Sequence, residues 1–291
     1  MFRAFENINE EQLASSIIEK IDQGEKWIFQ GAEKSSDFGG FIDRLFYYHQ
    51  ETYGTYCASI YCGKLRFQIG FNTDMPDDVR EEVLLLMDKA RRQLNTPTSV
   101  WYPPDNKRLH DFIFTQLPWK AKGHTTHELT FKKSDDYRTL ELPENTRIIP
   151  FTEEYLDASC NLLDESLSHT FDNPKSKLFL NNIGTYLSEW IEKSSKNACC
   201  IMLENGELAG FYVLKGAEID LMAIHKSKQG NGLGRLLLHH AREHIFDVEN
   251  NEPYLYCIDR NPNALRFYLR EGMSITGHSG YAFFEACAYV A

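Results

Sequence analysis

Between Glu218 and Ile245 the hydrophobic period changes from two to nearly four, and the change is made across a glycine-rich loop. Glu218–Ile224 (EIDLMAI) alternates and is rich in branched apolar residues, which predicts a strand. Leu233, Leu237, Ala241 and Ile245 recur every four residues, which predicts an amphipathic helix. The intervening Gln229-Gly230-Asn231-Gly232-Leu233-Gly234 must therefore end a strand and open a helix. A glycine loop at a helix start leaves backbone N–H groups pointing outward, and the helix dipole adds positive potential there. Such a loop is an anion cradle suited to a diphosphate. Lys226, Lys228 and Arg235 flank it.

The chain has 291 residues, enough for two domains of ordinary size. Its net charge of −11 is spread over both halves, so neither carries the basic footprint that nucleic acid or an anionic membrane requires. No apolar run approaches a bilayer span, and Glu6, Glu10 and Glu11 stand where a signal peptide would be basic and then apolar. Seven cysteines without a CxxC pair suit reduced thiols in a cytoplasmic protein.

Residues 133–146 are polar and suit a linker. Beyond it, Arg147–Pro150 predicts a strand and Thr152 an N-cap for a helix with Leu156, Cys160, Leu163 and Leu167 on its apolar face. A helix after Pro174 carries Leu180, Ile183, Leu187 and Trp190. Two strands, Ala198–Leu203 and Leu208–Lys215, meet at Asn205-Gly206, a hairpin signal. After the glycine loop and its helix come a strand at Tyr254–Ile258, a helix at Pro262–Glu271 and a last strand at Tyr281–Val290.

In that order of elements, residues 146–291 resemble a GNAT-superfamily N-acetyltransferase domain. The family's loop signature, Gln or Arg, two residues, Gly, one residue, then Gly or Ala, is matched by Gln229, Gly232 and Gly234. Its later signature is matched by Asn261-Pro-Asn-Ala264-Leu-Arg-Phe267-Tyr268-Leu-Arg-Glu-Gly272-Met273, with Met273 where Phe is usual. The N-terminal half repeats part of this spacing. Asn106, Phe112 and Gly123-His124 parallel Asn261, Phe267 and Gly277-His278, after a helix at about 78–94 and a strand at Ser99–Tyr102. There the loop is Thr73-Asp74-Met75-Pro76-Asp77-Asp78, acidic and without glycine, and Ile113 stands in place of Tyr268. The expected fold class is thus α/β with a mixed sheet, in two tandem GNAT-like acyl-CoA N-acyltransferase folds. Residues 1–140 are read as a degenerate GNAT-like domain without a cofactor site, and 146–291 as the catalytic domain. An unrelated α/β domain with a chance match is the alternative for the first half.

The resemblance implies acetyl-CoA as acetyl donor and a primary amine as acceptor. The amides of Gly230, Asn231, Gly232, Leu233 and Gly234, with Gln229 and Arg235, would hold the diphosphate. Backbone groups of Ala223, Ile224 and His225 would meet the pantetheine and acetyl groups where the fourth and fifth strands splay. Asn261 and Ala264 would border the pantetheine arm, although Asn261 also suits a helix N-cap before Pro262. Tyr268 takes the position of the family's general acid. Glu218 corresponds to the base of family histone acetyltransferases, with Asp220 as alternative base or substrate anchor, or a water chain in place of either. The alternation predicts that Glu218, Asp220, Met222 and Ile224 share one face.

Other signals fit less well. His240, Glu243 and His244 match an HxxEH zinc pattern on a helix already accounted for, so no metal is expected. The glycines run GxGxG, unlike a dinucleotide fingerprint, and no Lys-Ser/Thr pair follows them as in a nucleotide-triphosphate loop. A non-catalytic acetyl-CoA sensor or scaffold is the rival to an enzyme. The acidic chain favours a cationic acceptor such as a polyamine, aminoglycoside, amino acid or peptide amine. The aromatic run Phe46, Tyr47, Tyr48, Tyr53, Tyr56 and Tyr61 suits a core before a substrate lid.

Overall fold

The structure, a computed structural model, describes residues 1–291 except 33–34, 134–139, 169–174, 176 and 287–291. Contacts divide the chain into two compact units, Met1–Glu128 with Gly277–Ala291, and Leu129–Thr276. The linear division at 140 and 146 differs from this, because the strand after Gly277 hydrogen-bonds within the first unit. No helix is long and apolar enough to cross a membrane among the described residues.

Unit 1 begins with α1 (Ile8–Glu19) and α2 (Gln23–Phe29), capped by the side chains of Asn7 and Asp22. Three antiparallel strands follow, β1 (Phe38–His49), β2 (Thr52–Tyr61) and β3 (Lys64–Phe71), then α3 (Arg80–Leu94), β4 (Thr98–Tyr102), α4 (Lys107–Asp111) and β5 (Lys122–Thr130). Arg3 bridges Phe46, adding a vestige of a first strand. The strand order is β1-β2-β3-β4-β11-β5, where β11 is Ser274–Phe284 and pairs antiparallel with β4 from Gly280↔Tyr102 to Phe284↔Thr98. The expected last strand, 281–290, thus starts earlier, and residues 287–290 lie outside the described ones. Val83, Met87, Phe67, Ile69, Val100 and Phe112 are among the residues that form the core on the α3 side of the sheet. Ala14, Ile18, Phe29 and Phe46 contribute to a smaller core under α1 and α2. Phe46, Tyr47 and Tyr56 of the aromatic run are buried, while Tyr48 is exposed.

Unit 2 repeats the sequence of elements. It runs β6 (Thr146–Pro150), α5 (Leu156–Leu167), α6 (Leu178–Asn181), α7 (Ile183–Ser194), β7 (Cys199–Glu204), β8 (Glu207–Lys215), β9 (Glu218–Ile224), α8 (Leu233–His244), β10 (Tyr254–Ile258) and α9 (Pro262–Arg270). The single helix expected after Pro174, itself outside the described residues, is broken at Asn182 into α6 and α7. Buried Asp164 fixes the first of these by accepting from Phe179 N and Leu180 N at 2.9 and 3.0 Å. Asn205 and Gly206, at φ 54° and 83°, make the turn between β7 and β8. The strand order is β10-β9-β8-β7-β6, with α8 and α9 on one face and α5, α6 and α7 on the other. Leu233, Leu237 and Ala241 of the predicted stripe are buried beneath α8. Each buried leucine there stabilises the fold by about 1.5–3 kcal/mol.

Candidate active site

The glycine loop is built as a bare helix start. Gly230 and Gly232 sit at φ 82° and 84°, in the left-handed region that other residues adopt at a cost. Gly232 is the N-cap of α8 and no side chain caps that helix among the described residues. Arg235 N donates to Gly232 O at 3.0 Å, and the amides of Leu233 and Gly234 ahead of it are left to an outside acceptor, with the dipole behind them. Gly234 serves a different purpose: a Cβ there would meet the Phe267 ring at 3.4 Å, an ordinary contact. The Gln229 side chain turns back, donating Nε2–H to the carbonyl of Ile224 at 3.1 Å and so tying the loop to the end of β9.

That end of β9 is where backbone groups open. His225 N–H is donated to Ala209 O of β8 at 2.8 Å. Antiparallel alternation assigns Ala223 to the same bonded edge and turns the N–H groups of Met222 and Ile224 to the other, toward β10. Yet β10 is in register with β9 at one pair only, Tyr254↔Glu218. Beyond it the strands part. Of the three residues read from sequence, Ile224 therefore presents an amide to the opening, whereas the His225 amide is taken up by β8. Met222, which the sequence did not single out, joins Ile224. Gly210, opposite Ile224, is required by the register, since a Cβ there would come within 2.6 Å of the Ile224 side chain.

The acidic residues of β9 do not share the face of Met222 and Ile224. The register steps from Val213↔Leu221 to Leu214↔Ile219, leaving Asp220 as the extra residue of a β-bulge. Ile219, Met222 and Ile224 pack toward α8, and Leu221 and Ala223 toward α5–α7. The bulge restarts the alternation, so Glu218 and Asp220 turn to the α5–α7 side. Half-buried Glu218 stands opposite Lys215. The Asp220 carboxyl, although exposed, is raised above its usual value by the protein around it; Lys193 and Lys215 counter the rise and Glu189 adds to it.

On α9, the Asn261 side chain accepts from Ala264 N at 3.2 Å, so the capping role read from sequence is present. Tyr268 packs edge-on to Phe267 with ring centroids 5.2 Å apart. Burial, with a smaller contribution from Cys257, pushes its phenol well above the usual value. The hydroxyl therefore keeps its proton at neutral pH. The cations around the loop are less free than the sequence suggests. Lys228 binds Glu204 and Glu207 at 2.9 and 3.4 Å, and Arg235 is held by Glu271 at 3.4 Å. Two of the three cations that flank the loop are thus already paired. Glu271 itself gave no signal in the sequence beyond its position at the end of α9.

Unit 1 offers a direct comparison. Gly54 opposes Phe71 as Gly210 opposes Ile224, and Asn72 N donates to Tyr53 O at 2.9 Å as His225 N does to Ala209 O. Phe71 is thereby the counterpart of Ile224. Its N–H is not open: it donates to Oδ1 of buried Asn106 at 3.1 Å, and Asn106 is the counterpart of Asn261. Strand β4 stays in register with β3 over four pairs, Leu65↔Thr98 to Gln68↔Trp101. In the acidic loop, Asp74 accepts from Met75 N and Arg108 N, and Asp77 pairs with Arg80. Ile113 is fully buried in the core.

Two residues of the HxxEH pattern, His240 and Glu243, are otherwise engaged. His240 Nδ1 lies 3.0 Å from the Tyr212 hydroxyl, and Glu243 pairs with His239 at 3.4 Å. No group of three or more metal-ligating side chains converges among the described residues.

No curated protein matches the sequence. Residues 160–273 match the model of the Acetyltransferase (GNAT) family. A GCN5-related N-acetyltransferase from Sphaerobacter thermophilus is 13% identical, with 98% of this chain and 95% of that chain covered at a TM-score of 0.58. A GNAT-family acetyltransferase from Colwellia psychrerythraea, also 13% identical, covers 98% and 99% at 0.52. A tandem GNAT protein from the clavulanic acid biosynthesis pathway, 12% identical, covers 99% and 98% at 0.52. At such identities the structures bear on fold alone, and the family assignment rests on the matched segment. Residues 160–273 thus match the GNAT acetyltransferase family model, and the chain as a whole has the tandem GNAT fold.

Proposed function

We propose that this protein is an N-acetyltransferase that moves the acetyl group of acetyl-CoA to a primary amine, by direct transfer in a ternary complex. In this reading residues 146–291 carry the activity, and 1–140 is a degenerate copy without a cofactor site. The observation that supports it most is the open edge of β9 beside an uncapped, glycine-opened helix. Acetyl-CoA, when bound, supplies an acyl group activated as a thioester. The first-turn amides of α8 would take its diphosphate, and the positive φ of Gly230 and Gly232 makes that turn possible. Met222 and Ile224 would donate N–H groups to carbonyl oxygens along the opening, one of them stabilising the charge that develops during transfer.

The protons are handled by side chains. Glu218, through water, would accept the proton that the amine must lose, and Asp220 would serve as alternative base or as anchor for a cationic acceptor. Tyr268, kept protonated by burial, would give its proton to the departing sulfur. The two acids on the α5–α7 face favour a small cationic acceptor. Calorimetry with acetyl-CoA, joined to a thiol-release assay over polyamines, aminoglycosides, amino acids and peptide amines, tests the reading. Amine-dependent thiol release is expected. Tight binding with no release from any amine would support the non-catalytic sensor instead.

A further inference from the structure

Strands β5 and β11 lie side by side in the sheet of unit 1. A Cβ at Gly277 of β11 would stand 3.4 Å from the Cβ of Glu128 on β5, so these two residues are cross-strand neighbours on one face. Side chains alternate along a strand, so His127 and His278, next to them, turn together to the other face. Their Nδ1 atoms lie 2.8 Å apart and their ring centroids 4.9 Å apart, with the ring planes at 82°. His278 is exposed and His127 half-buried, so the pair is open to solvent.

Two imidazole nitrogens at this distance can share one hydrogen and no more. One Nδ1 carries it and the other accepts it. The accepting ring holds its own hydrogen on Nε2, and the donor ring takes the same tautomer when its hydrogen moves there. Both Nδ1 lone pairs are then bare, and a small turn of each ring aims them at one point. A metal ion is the group that uses two nitrogen donors so placed. The separation narrows the choice of ion. With metal–nitrogen bonds of about 2.0 Å, adjacent corners of a square-planar site stand about 2.8 Å apart, and those of a tetrahedral site about 3.3 Å. Square-planar or tetragonal coordination by nitrogen suits copper(II) and nickel(II). Glu128 points to the opposite face, and nitrogen donors do not suit magnesium or calcium, which take oxygen.

We propose that His127 and His278 form a binding site for a divalent ion of square-planar habit, with copper(II) as the best fit. The ion is held through Nδ1 of both rings, and water completes its coordination. Two protein ligands fall short of the three or four of a catalytic or structural zinc site, so the ion is an exchangeable one. Bound, it ties β11 to β5 across the sheet of unit 1. The net charge of −11 adds a general attraction for a cation. Neither histidine belongs to the machinery proposed for acetyl transfer, so the assignment stands apart from that reading.

Copper(II) chloride, titrated into the full chain in a non-coordinating buffer, is the probe. The readout is the electron spin-echo modulation from the remote imidazole nitrogen, which counts the histidines bound to the ion. The first equivalent is expected to show two. His278→Ala and His127→Ala should each leave one and weaken that binding about 100-fold, because the second donor acts at a high effective concentration. His49→Ala, at an exposed histidine on β1, should change neither the count nor the affinity. His278 is exposed, so its variant decides alone if that of His127 fails to fold. A first equivalent bound by a single imidazole, or a two-imidazole signal that survives either variant of the pair, would overturn the proposal and leave a hydrogen bond between strands.

Discussion

In the proposed reaction Tyr268 would serve a departing thiolate only while it holds its proton, and its surroundings keep it there well past neutral pH. Tyr268→Phe should lower kcat by about 10²–10⁴-fold with acetyl-CoA affinity little changed. Unchanged turnover would remove the residue from the role. Asp22 makes the second prediction at this scale. Burial raises its carboxyl from 3.8 to about 6, against the pull of Arg66. The folded state therefore holds this proton more tightly than the unfolded chain. The resulting stability is complete below about pH 4 and is lost as pH rises through 6. Asp22→Asn keeps a capping oxygen without ionising. The melting temperature of the wild type, relative to that variant, should fall between pH 4 and 7; a flat difference would contradict the assignment. The place of Tyr268 on the helix after Asn261 was legible in the sequence because its signature is local. The facing of Glu218 and Asp220 was not, since a bulge is set by the register with β8 and leaves no mark on the alternation.

The strand, glycine turn and helix that constrain the sequence reading can be tested glycine by glycine. Gly230→Ala and Gly232→Ala meet no atom within 4 Å, so any cost comes from the backbone angle alone, about 1–2 kcal/mol each. Gly234→Ala, in helical backbone with an ordinary contact to Phe267, should be nearly neutral in thermal melts. Equal effects at all three positions would contradict this account. The paired asparagines separate in the same way. Asn106→Ala leaves the Phe71 N–H without its acceptor and should cost about 1–3 kcal/mol in denaturant unfolding. Asn261→Ala loses a helix cap and should cost about 1 kcal/mol. The spacing of the sequence matched these two residues to each other. Their opposite uses depend on how far β4 and β10 stay in register with their neighbours, which no local pattern encodes.

At the scale of the molecule the chain holds two copies of one plan, with the same order of strands and helices and different edges at the matching strand. Element positions were largely legible, because hydrophobic period and turn residues are local properties. The pairing of β11 with β4 was not, since partners more than 170 residues apart leave no periodic trace. The sequence contrast between a glycine loop and an acidic one becomes a contrast between an opened edge and one closed by Asn106. Titration calorimetry of acetyl-CoA into the full chain tests that contrast most directly. The account predicts one site per chain, lost in the Gly230→Val, Gly232→Val double variant and retained in Asn106→Ala. Two equivalent sites, or binding that survives the double variant, would contradict it.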